Sequence, residues 1–205
     1  MYGITWPRDN CYEGSALKPS SPYSSSKAAA DLIALSYFKT FGTRVTVSRC
    51  TNNLGPWQHN EKLIPTVISR AFEDKSIPVY GDGKQKRHWI HVDDHNRVLH
   101  DILVNGVPGE VYNIAPSKRS YIANIDIVKH ILKTMKKPAS LIEHVADRLG
   151  HDTSYFLKSS HYTVDSDWKK QLSGTVEWYM AAVLSKKAVS ADEEAKDIPN
   201  TDLVP

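Results

Sequence analysis

The sequence contains no glycine-rich G-x-x-G-x-x-G segment, and among its missing features this absence excludes the most about the protein's class. Such a segment follows the first strand of a dinucleotide-binding unit, where its glycines let the backbone approach a pyrophosphate. There is also no G-x-S-x-G segment of the kind that presents a nucleophilic serine. These 205 residues therefore predict neither a complete dinucleotide-binding unit nor a serine hydrolase.

Cysteines and long apolar runs are scarce as well. The two cysteines, Cys11 and Cys50, form no C-x-x-C pair, which favours a reducing compartment over a disulfide framework. No apolar run is long enough to span a bilayer, and residues 1–9 lack the apolar core of a signal peptide. We therefore expect a cytoplasmic protein without membrane contacts.

The charge pattern gives no sign of a nucleic-acid partner. The net charge is only +3, and the basic residues are spread along the chain rather than grouped in a stripe. A mild positive balance suits a small anionic ligand.

One group of histidines and aspartates has the composition of a metal site but not its spacing. In a strand, His88 and His91 point to opposite faces, and Asp93 or Asp94 is better placed to cap a helix that ends near residue 104. Together with His95 these residues do not offer a plausible ligand set, so we predict no metal.

Apolar periodicity and turn signals predict alternating helices and strands, which is typical of α/β proteins. The further predicted helices are 22–41, 63–72, 124–135 and 175–184, and the predicted strands are 44–50, 77–80, 89–92, 110–115 and 140–145. We interpret residues 51–56 as a loop and 185–205 as a disordered tail.

The first predicted helix carries a candidate catalytic pair. Ser20 or Ser21 can cap the helix, and Pro22 suits its first turn. Tyr23 and Lys27 are one turn apart and share a face, where an ammonium favours the phenolate and makes the tyrosine a base. The alternative is a tyrosine that packs the helix terminus beside a solvated lysine.

Two further patterns in the sequence bear on where a ligand could bind. Tyr80 and Lys84 have the same spacing, but they flank Gly-Asp-Gly, which predicts a turn and a chance match. Asn52 and Asn53 follow a predicted strand, at the edge where α/β folds collect ligands. They are either turn formers or ligand contacts.

Several segments, in this order, resemble dTDP-glucose 4,6-dehydratases of the extended short-chain dehydrogenase/reductase superfamily. The resemblance runs from Tyr2 to about Asp152 and resumes at 175–179. Its motifs are Tyr23-x-x-x-Lys27, Ser48-Arg-Cys-Thr-Asn-Asn-Leu-Gly-Pro56, Glu61-Lys-Leu-Ile-Pro65, Val79-Tyr-Gly-Asp-Gly-Lys-Gln-Lys-Arg87 and Asp147-Arg-Leu-Gly-His-Asp152.

The resemblance implies a fold of two parts. Residues 1–56 would be the C-terminal half of a Rossmann-like NAD domain with a parallel sheet. Residues 57–184 would mainly form a small mixed α/β nucleotide-sugar-binding region, with 88–115 returning to the Rossmann-like sheet. Pairing through the helix that carries Tyr23 would make the full-length protein a homodimer.

The resemblance also implies roles for individual residues. Tyr23 would be the redox base, Lys27 would lower its pKa and hold the nicotinamide ribose, and Asn53 would approach NAD. The implied substrate contacts are Asn52, Lys62, Leu63, Pro78, Tyr80, Arg87, Asn124, Arg148 and His151, with Arg87 and Arg148 on the diphosphate.

The implied reaction converts dTDP-glucose to dTDP-4-keto-6-deoxyglucose. In the family, an Asp-Glu pair that supplies the acid and base for elimination stands directly before a Tyr-Gly that matches Tyr2-Gly3. This chain departs from the family at Leu149, where proline is usual, and over 153–174, which is shorter and diverges. We expect 205 residues without the glycine-rich segment to bind NAD weakly and turn over little.

Two hypotheses remain open from the sequence. The chain is either a C-terminal portion of a dehydratase or a non-catalytic nucleotide-sugar-binding or interaction protein. Another extended-superfamily epimerase or dehydratase is a variant of the first.

Overall fold

The computed structural model describes residues 1–9, 11–147, 150–165 and 167–196. The helices are α1 (Pro22–Phe41), α2 (Leu63–Phe72), α3 (Val92–Asn105), α4 (Asn124–Thr134) and α5 (Trp168–Lys196). The strands are β1 (Val47–Cys50), β2 (Asn52–Leu54), β3 (Ile77–Tyr80), β4 (Lys86–His91), β5 (Val111–Pro116), β6 (Tyr121–Ala123), β7 (Ile142–Val145), β8 (Ser154–Tyr155) and β9 (Tyr162–Val164).

The strands form three sheets in which parallel pairing dominates. The first sheet has the order β1-β5-β9 and is parallel throughout. In the second, β4 pairs in parallel with β2 and β8 and antiparallel with β6. The third is the parallel pair of β3 and β7. Only Thr51 separates β1 from β2, so the chain passes there directly from the first sheet to the second.

The main hydrophobic core lies between α2, α4, α5 and strands of the second and third sheets. Ile64 and Ile68 of α2 meet Ile131 of α4 and Leu172 of α5 there, and all four are buried. Each such side chain contributes roughly 1.5–3 kcal/mol through removal from water. This core therefore packs α2, α4 and α5 together without a residue of α1.

Local signals explain why α1 begins and ends where it does. Ser21 is the N-cap, and its hydroxyl accepts the backbone N–H of Ser24 in a reciprocal capping box. Pro22 occupies the first helical position, and Gly42 ends the helix at φ 68°, a conformation that favours glycine. The predicted bounds of α1, α2 and β3 match the structure residue for residue.

Other predictions are corrected. The segment predicted as the loop 51–56 contains β2, because its backbone pairs with residues 89–91 of β4. The cap of α3 is His91, whose imidazole accepts the backbone N–H of Asp93, rather than Asp93 or Asp94. Strands β6, β8 and β9 were not predicted.

The predicted disordered tail is partly wrong. Helix α5 starts earlier and ends later than predicted, so residues 185–196 are helical. This segment contains no glycine or proline and is rich in alanine, lysine and glutamate, which are strong helix formers. Residues 197–205 lie outside the described residues.

Within the described ranges, none of the helices combines the length and the apolar character needed to cross a lipid bilayer. In the same part of the chain, no three histidine, cysteine or acidic side chains come close enough together to hold a metal ion.

Candidate active site

Tyr23 and Lys27 lie on the exposed side of the first turns of α1. Tyr23 is 75% exposed, and both side chains line a cavity of about 460 Å³. Neither the Tyr23 hydroxyl nor the Lys27 ammonium has a hydrogen-bond partner among the described residues. The pair predicted from spacing therefore faces open space with its donors available to a ligand.

The cavity lies between the start of α1, the ends of β1 and β4, and the amino-terminal segment. It brings together Tyr23, Lys27, Asn52 and Arg87 of the predicted site. Its other lining residues are Met1, Tyr2, Ser24, Asp31, Ser48, Arg49, Cys50, Thr51, Tyr155 and Leu157. Burial raises the pKa of the Cys50 thiol to about 12, so Cys50 is not a nucleophile at neutral pH.

A buried ion pair fixes α1 against β1 at the base of this cavity. Arg49 Nε donates to Asp31 Oδ2 at 2.7 Å, and both side chains are almost fully buried. Asp31 is one helical turn beyond Lys27, on the same face as Tyr23 and Lys27. The pair thus fixes the rotation of α1 that turns Tyr23 and Lys27 toward the cavity.

The amino-terminal segment is held by the same network. Arg49 donates to the Tyr2 hydroxyl and, at 3.0 Å, to the carbonyl of Glu13. The Tyr2 hydroxyl donates to Asn113 Oδ1 at 2.9 Å. Burial raises the pKa of Tyr2 despite the opposing effect of Arg49, so Tyr2 remains protonated and a donor.

Arg87 is the cation on the opposite side of the cavity. It is buried on β4, and its Nη1 and Nη2 donate to the carbonyls of Lys86 and Asp152 at 2.9 and 2.6 Å. Its guanidinium carbon lies 4.8 Å from the ring centroid of Tyr155. Burial, followed by the hydrogen bond to Asp152, raises the pKa of Tyr155 and keeps its phenol neutral.

A second group of predicted residues gathers around Gln85, directly before the start of β4. The rings of Tyr80 and His151 meet edge to face with centroids 6.3 Å apart. His151 Nδ1 lies 2.6 Å from Asp147 Oδ1, while Asp147 Oδ2 accepts Gln85 Nε2 at 3.0 Å. Asn124 joins this group through its backbone N–H, which donates to the Gln85 carbonyl. We call Tyr80, Gln85, Asp147 and His151 the β4-end cluster.

The remaining predicted residues lie elsewhere. Asn53 does not line the cavity, and its amide contacts Cys50 Sγ. Lys62 is the exposed N-cap of α2 and pairs with Glu61, while Leu63 packs against the main core. Pro78 lies on β3, and Arg148 lies outside the described residues.

Sequence reasoning missed several residues of the site. Tyr2, Arg49 and Tyr155 line the cavity and Asp152 binds Arg87 and Tyr155, but the sequence predicted none of them as a site residue. The Arg49–Asp31 pair had one available signal, because an arginine in an apolar alternating strand demands a buried partner. No local sequence pattern relates Tyr155 to Tyr23.

The chain belongs to the NAD dependent epimerase/dehydratase family, whose profile matches residues 1–115. This confirms the family resemblance drawn from the motifs, and the match includes every residue that lines the Tyr23 cavity except Tyr155 of β8 and Leu157.

Individual relatives make the similarity within this family more specific. The chain is 42% identical over 193 residues to a probable dTDP-glucose 4,6-dehydratase of Sinorhizobium fredii, covering 88% of this chain and 55% of that one. It is 39% identical to a dTDP-glucose 4,6-dehydratase of Escherichia coli, covering 82% and 51%. The chain thus spans about half the length of the curated relatives it matches.

Solved structures confirm the α/β fold. A dTDP-glucose 4,6-dehydratase from Bacillus anthracis in complex with NAD superposes with a TM-score of 0.81 at 39% identity, covering 88% of this chain and 58% of that one. DesIV, a dTDP-glucose 4,6-dehydratase from Streptomyces venezuelae with NAD and TYD bound, gives 0.82 at 36% identity and covers 88% and 57%.

Proposed function

We propose that this chain supplies the redox pair and the substrate pocket for NAD-dependent dehydration of dTDP-glucose to dTDP-4-keto-6-deoxyglucose. The observation that carries the proposal is the cavity in which unpartnered Tyr23 and Lys27 face Asn52 and Arg87. Identities of 38–42% to dTDP-glucose 4,6-dehydratases favour this function over a non-catalytic binding protein.

The donor set of the cavity fits a nicotinamide ribose beside a sugar. Tyr23 and Lys27 would hold the ribose, since an exposed phenol and an ammonium one turn apart match its hydroxyls in hydrogen-bonding chemistry. NAD, when bound, supplies the acceptor for a hydride from the sugar. A contact from Asn53 stays a prediction.

Tyr23 would act on the sugar as its phenolate, which accepts the proton of the 4-hydroxyl. Lys27 would stabilise that phenolate, because a neighbouring ammonium favours the charged form. Loss of this proton together with the C4 hydride, for which bound NAD would be the acceptor, would leave C4 as the carbonyl that acidifies C5 for the loss of water. Asp31 is already paired with Arg49, so we assign this carboxylate no part in the elimination.

The rest of the substrate would extend along β4. Arg87 would bind the diphosphate, since a guanidinium fork matches phosphate oxygens. The β4-end cluster, with Pro78 and Asn124 beside it, would receive the nucleoside, and Tyr80 offers its exposed ring as a stacking surface. We propose Asn52, Lys62, Leu63 and Arg148 as further contacts.

The proposal also covers the oligomeric state of the full-length protein and its cellular compartment. Helix α1 exposes Leu32, Ile33, Tyr37 and Phe41, and these exposed apolar side chains support a homodimer of the full-length protein through α1. The thiols Cys11 and Cys50 are both free, which supports a reducing cytoplasm.

Substrate binding is tested on the 205-residue polypeptide by calorimetry with dTDP. We expect binding that weakens on the order of tenfold in Arg87→Lys, because lysine lacks the guanidinium fork. Arg44→Lys is the matched control, since Arg44 is exposed and does not line the cavity. Equal affinity of wild type and Arg87→Lys would remove Arg87 from the diphosphate site.

Turnover is tested in a chimera. The amino-terminal part of the Sinorhizobium fredii relative that this chain does not match is fused ahead of residue 1, and the purified chimera is supplied with NAD and dTDP-glucose. We expect a product that has lost one water and carries a 4-keto group, detected by mass spectrometry. A soluble chimera that binds NAD and dTDP but leaves dTDP-glucose unchanged would contradict the proposed reaction.

A further inference from the structure

The buried carboxylate of Asp152 connects parts of the molecule that are far apart in sequence. Its Oδ1 accepts the Ser20 hydroxyl at 2.7 Å, and its Oδ2 accepts the Tyr155 hydroxyl. Its backbone carbonyl accepts Arg87 Nη2 at 2.6 Å. Asp152 therefore contacts the start of α1, strand β8 and strand β4 at once.

The contact to Ser20 reaches the turn that carries the catalytic pair. Ser20 precedes the N-cap Ser21, and its backbone N–H donates to Ser24 Oγ at 3.0 Å. Ser24 is buried and lies between Tyr23 and Lys27 in the sequence. Whatever fixes Ser20 therefore also fixes the first turn of α1.

The other contacts reach the proposed diphosphate site. Arg87 and Tyr155 are register partners in the parallel pair of β4 and β8. The guanidinium of Arg87 lies over the Tyr155 ring, while both residues donate to Asp152. A displacement of Arg87 by a bound anion would therefore shift Asp152 in two ways: through the hydrogen bond from Arg87 to its carbonyl, and through Tyr155, whose ring lies against Arg87 and whose hydroxyl donates to Asp152.

Both hydroxyls donate to Asp152, and only a carboxylate can accept from both at once. An ionised aspartate has two acceptor oxygens, one for Ser20 and one for Tyr155. An asparagine would present an NH₂ group to one of them, so that hydroxyl could no longer donate to residue 152 and this link would be altered.

We propose that Asp152 is a positioning residue that couples the Arg87 end of the pocket to the first turn of α1, so that ligand binding at Arg87 orders Tyr23 and Lys27. The inference rests on the proposed function, because the ligand that acts on Arg87 is the diphosphate of the substrate. Asp152 itself does not touch the reacting atoms.

The test measures hydrogen exchange in the segment 22–30 of the 205-residue polypeptide, with and without saturating dTDP. In wild type, dTDP is expected to slow exchange there on the order of tenfold, the scale of one hydrogen bond to a charged acceptor. In Ser20→Ala, which removes only the α1 contact, the slowing should fall below about twofold while dTDP still binds. The expected fold-changes follow from loss of that single bond.

Ser26→Ala is the matched control, because its hydroxyl donates to the Tyr23 carbonyl on the same turn without contacting Asp152. It should retain the full slowing. Asp152→Asn should lose it as Ser20→Ala does, and Ser20→Ala keeps the test informative if Asp152→Asn does not fold.

The outcomes separate the inference from the function on which it rests. Full dTDP-induced slowing in Ser20→Ala, or equal loss in Ser26→Ala, overturns the coupling and leaves the proposed substrate intact. Absence of dTDP binding to the wild type overturns both. Slowing of exchange that is lost in Ser20→Ala and Asp152→Asn but kept in Ser26→Ala supports the coupling.

Discussion

Helices α1 and α2 are held in the molecule by different kinds of interaction. Helix α2 buries an apolar face of Ile64, Val67, Ile68 and Ala71 in the main core. Helix α1 is twice as long, yet buries only Ser24, Ala28 and Asp31 and leaves most of its large apolar side chains exposed.

This difference explains where the candidate site can form. A helix held by broad apolar packing has little open surface, whereas α1 is fixed at a few polar points and keeps its first turns facing a cavity. The polar contacts are the Ser21 cap, the Ser20–Asp152 bond and the Asp31–Arg49 pair. Each sets the position of Tyr23 without covering it.

The largest expected effect comes from breaking the polar attachment of α1. Arg49→Met leaves the Asp31 carboxylate buried without its cation, which should cost about 4 kcal/mol of unfolding free energy. Denaturant unfolding measures this. The double variant Arg49→Met/Asp31→Leu should recover most of the loss, because no charge then remains buried. A double variant as unstable as the single one would show that the pair is not the attachment.

Apolar packing should matter for α2 and not for α1. Ile64→Ala empties a site that is 0% exposed and should cost about 3.5 kcal/mol, whereas Leu32→Ala at 59% exposure should cost less than about 0.5 kcal/mol in the monomer. The comparison is made by urea unfolding of both variants at low protein concentration. A similar cost for the two would mean that the α1 surface is covered.

We expect the stability of the fold to depend on pH through His88, which does not line the cavity. His88 on β4 is buried between Phe156 and Tyr121, and burial lowers its pKa from 6.5 to about 4. The unfolded chain therefore binds the extra proton first, so stability is full above pH 6.5 and falls by about 3 kcal/mol as the pH drops to 4.

The matched comparison for this titration is His88→Gln against His100→Gln. The first should reduce the loss of stability between pH 6.5 and 4, leaving the part that arises from His95 and His130, whose pKa values burial also lowers. The second removes a histidine at an exposed site on α3 and serves as the control. An unaltered profile in His88→Gln would assign the dependence to other groups.

Much of the fold was predictable because local signals carry it. The Ser21 cap, Pro22 and Gly42 define α1, and the apolar spacing of 63–72 defines α2. Strand β2 was missed because Asn-Asn-Leu-Gly-Pro has turn composition, and only its pairing with β4 makes it a strand. Strands β8 and β9 have two and three residues, too short for a periodic pattern.

The candidate site divides in the same way. Tyr23 and Lys27 share one helical turn, so their spacing and the helix-start signals of Ser21 and Pro22 together predict the pair. The contacts that position them join Ser20 to Asp152 and Asp31 to Arg49, across separations that periodicity does not see. The family resemblance carried by the ordered motifs predicts Arg87 and His151 as site residues. It does not predict Tyr155, whose ring lies against the Arg87 guanidinium.

The central claim, that Tyr23 is the redox base, is tested most directly by Tyr23→Phe in the chimera described above. Tyr37→Phe is the control, because Tyr37 is an exposed tyrosine of the same helix outside the cavity. We expect Tyr23→Phe to lower the rate of 4-keto sugar formation by at least about 100-fold, the scale of general base catalysis, with dTDP affinity unchanged. A rate for Tyr23→Phe within a few-fold of Tyr37→Phe would contradict the account.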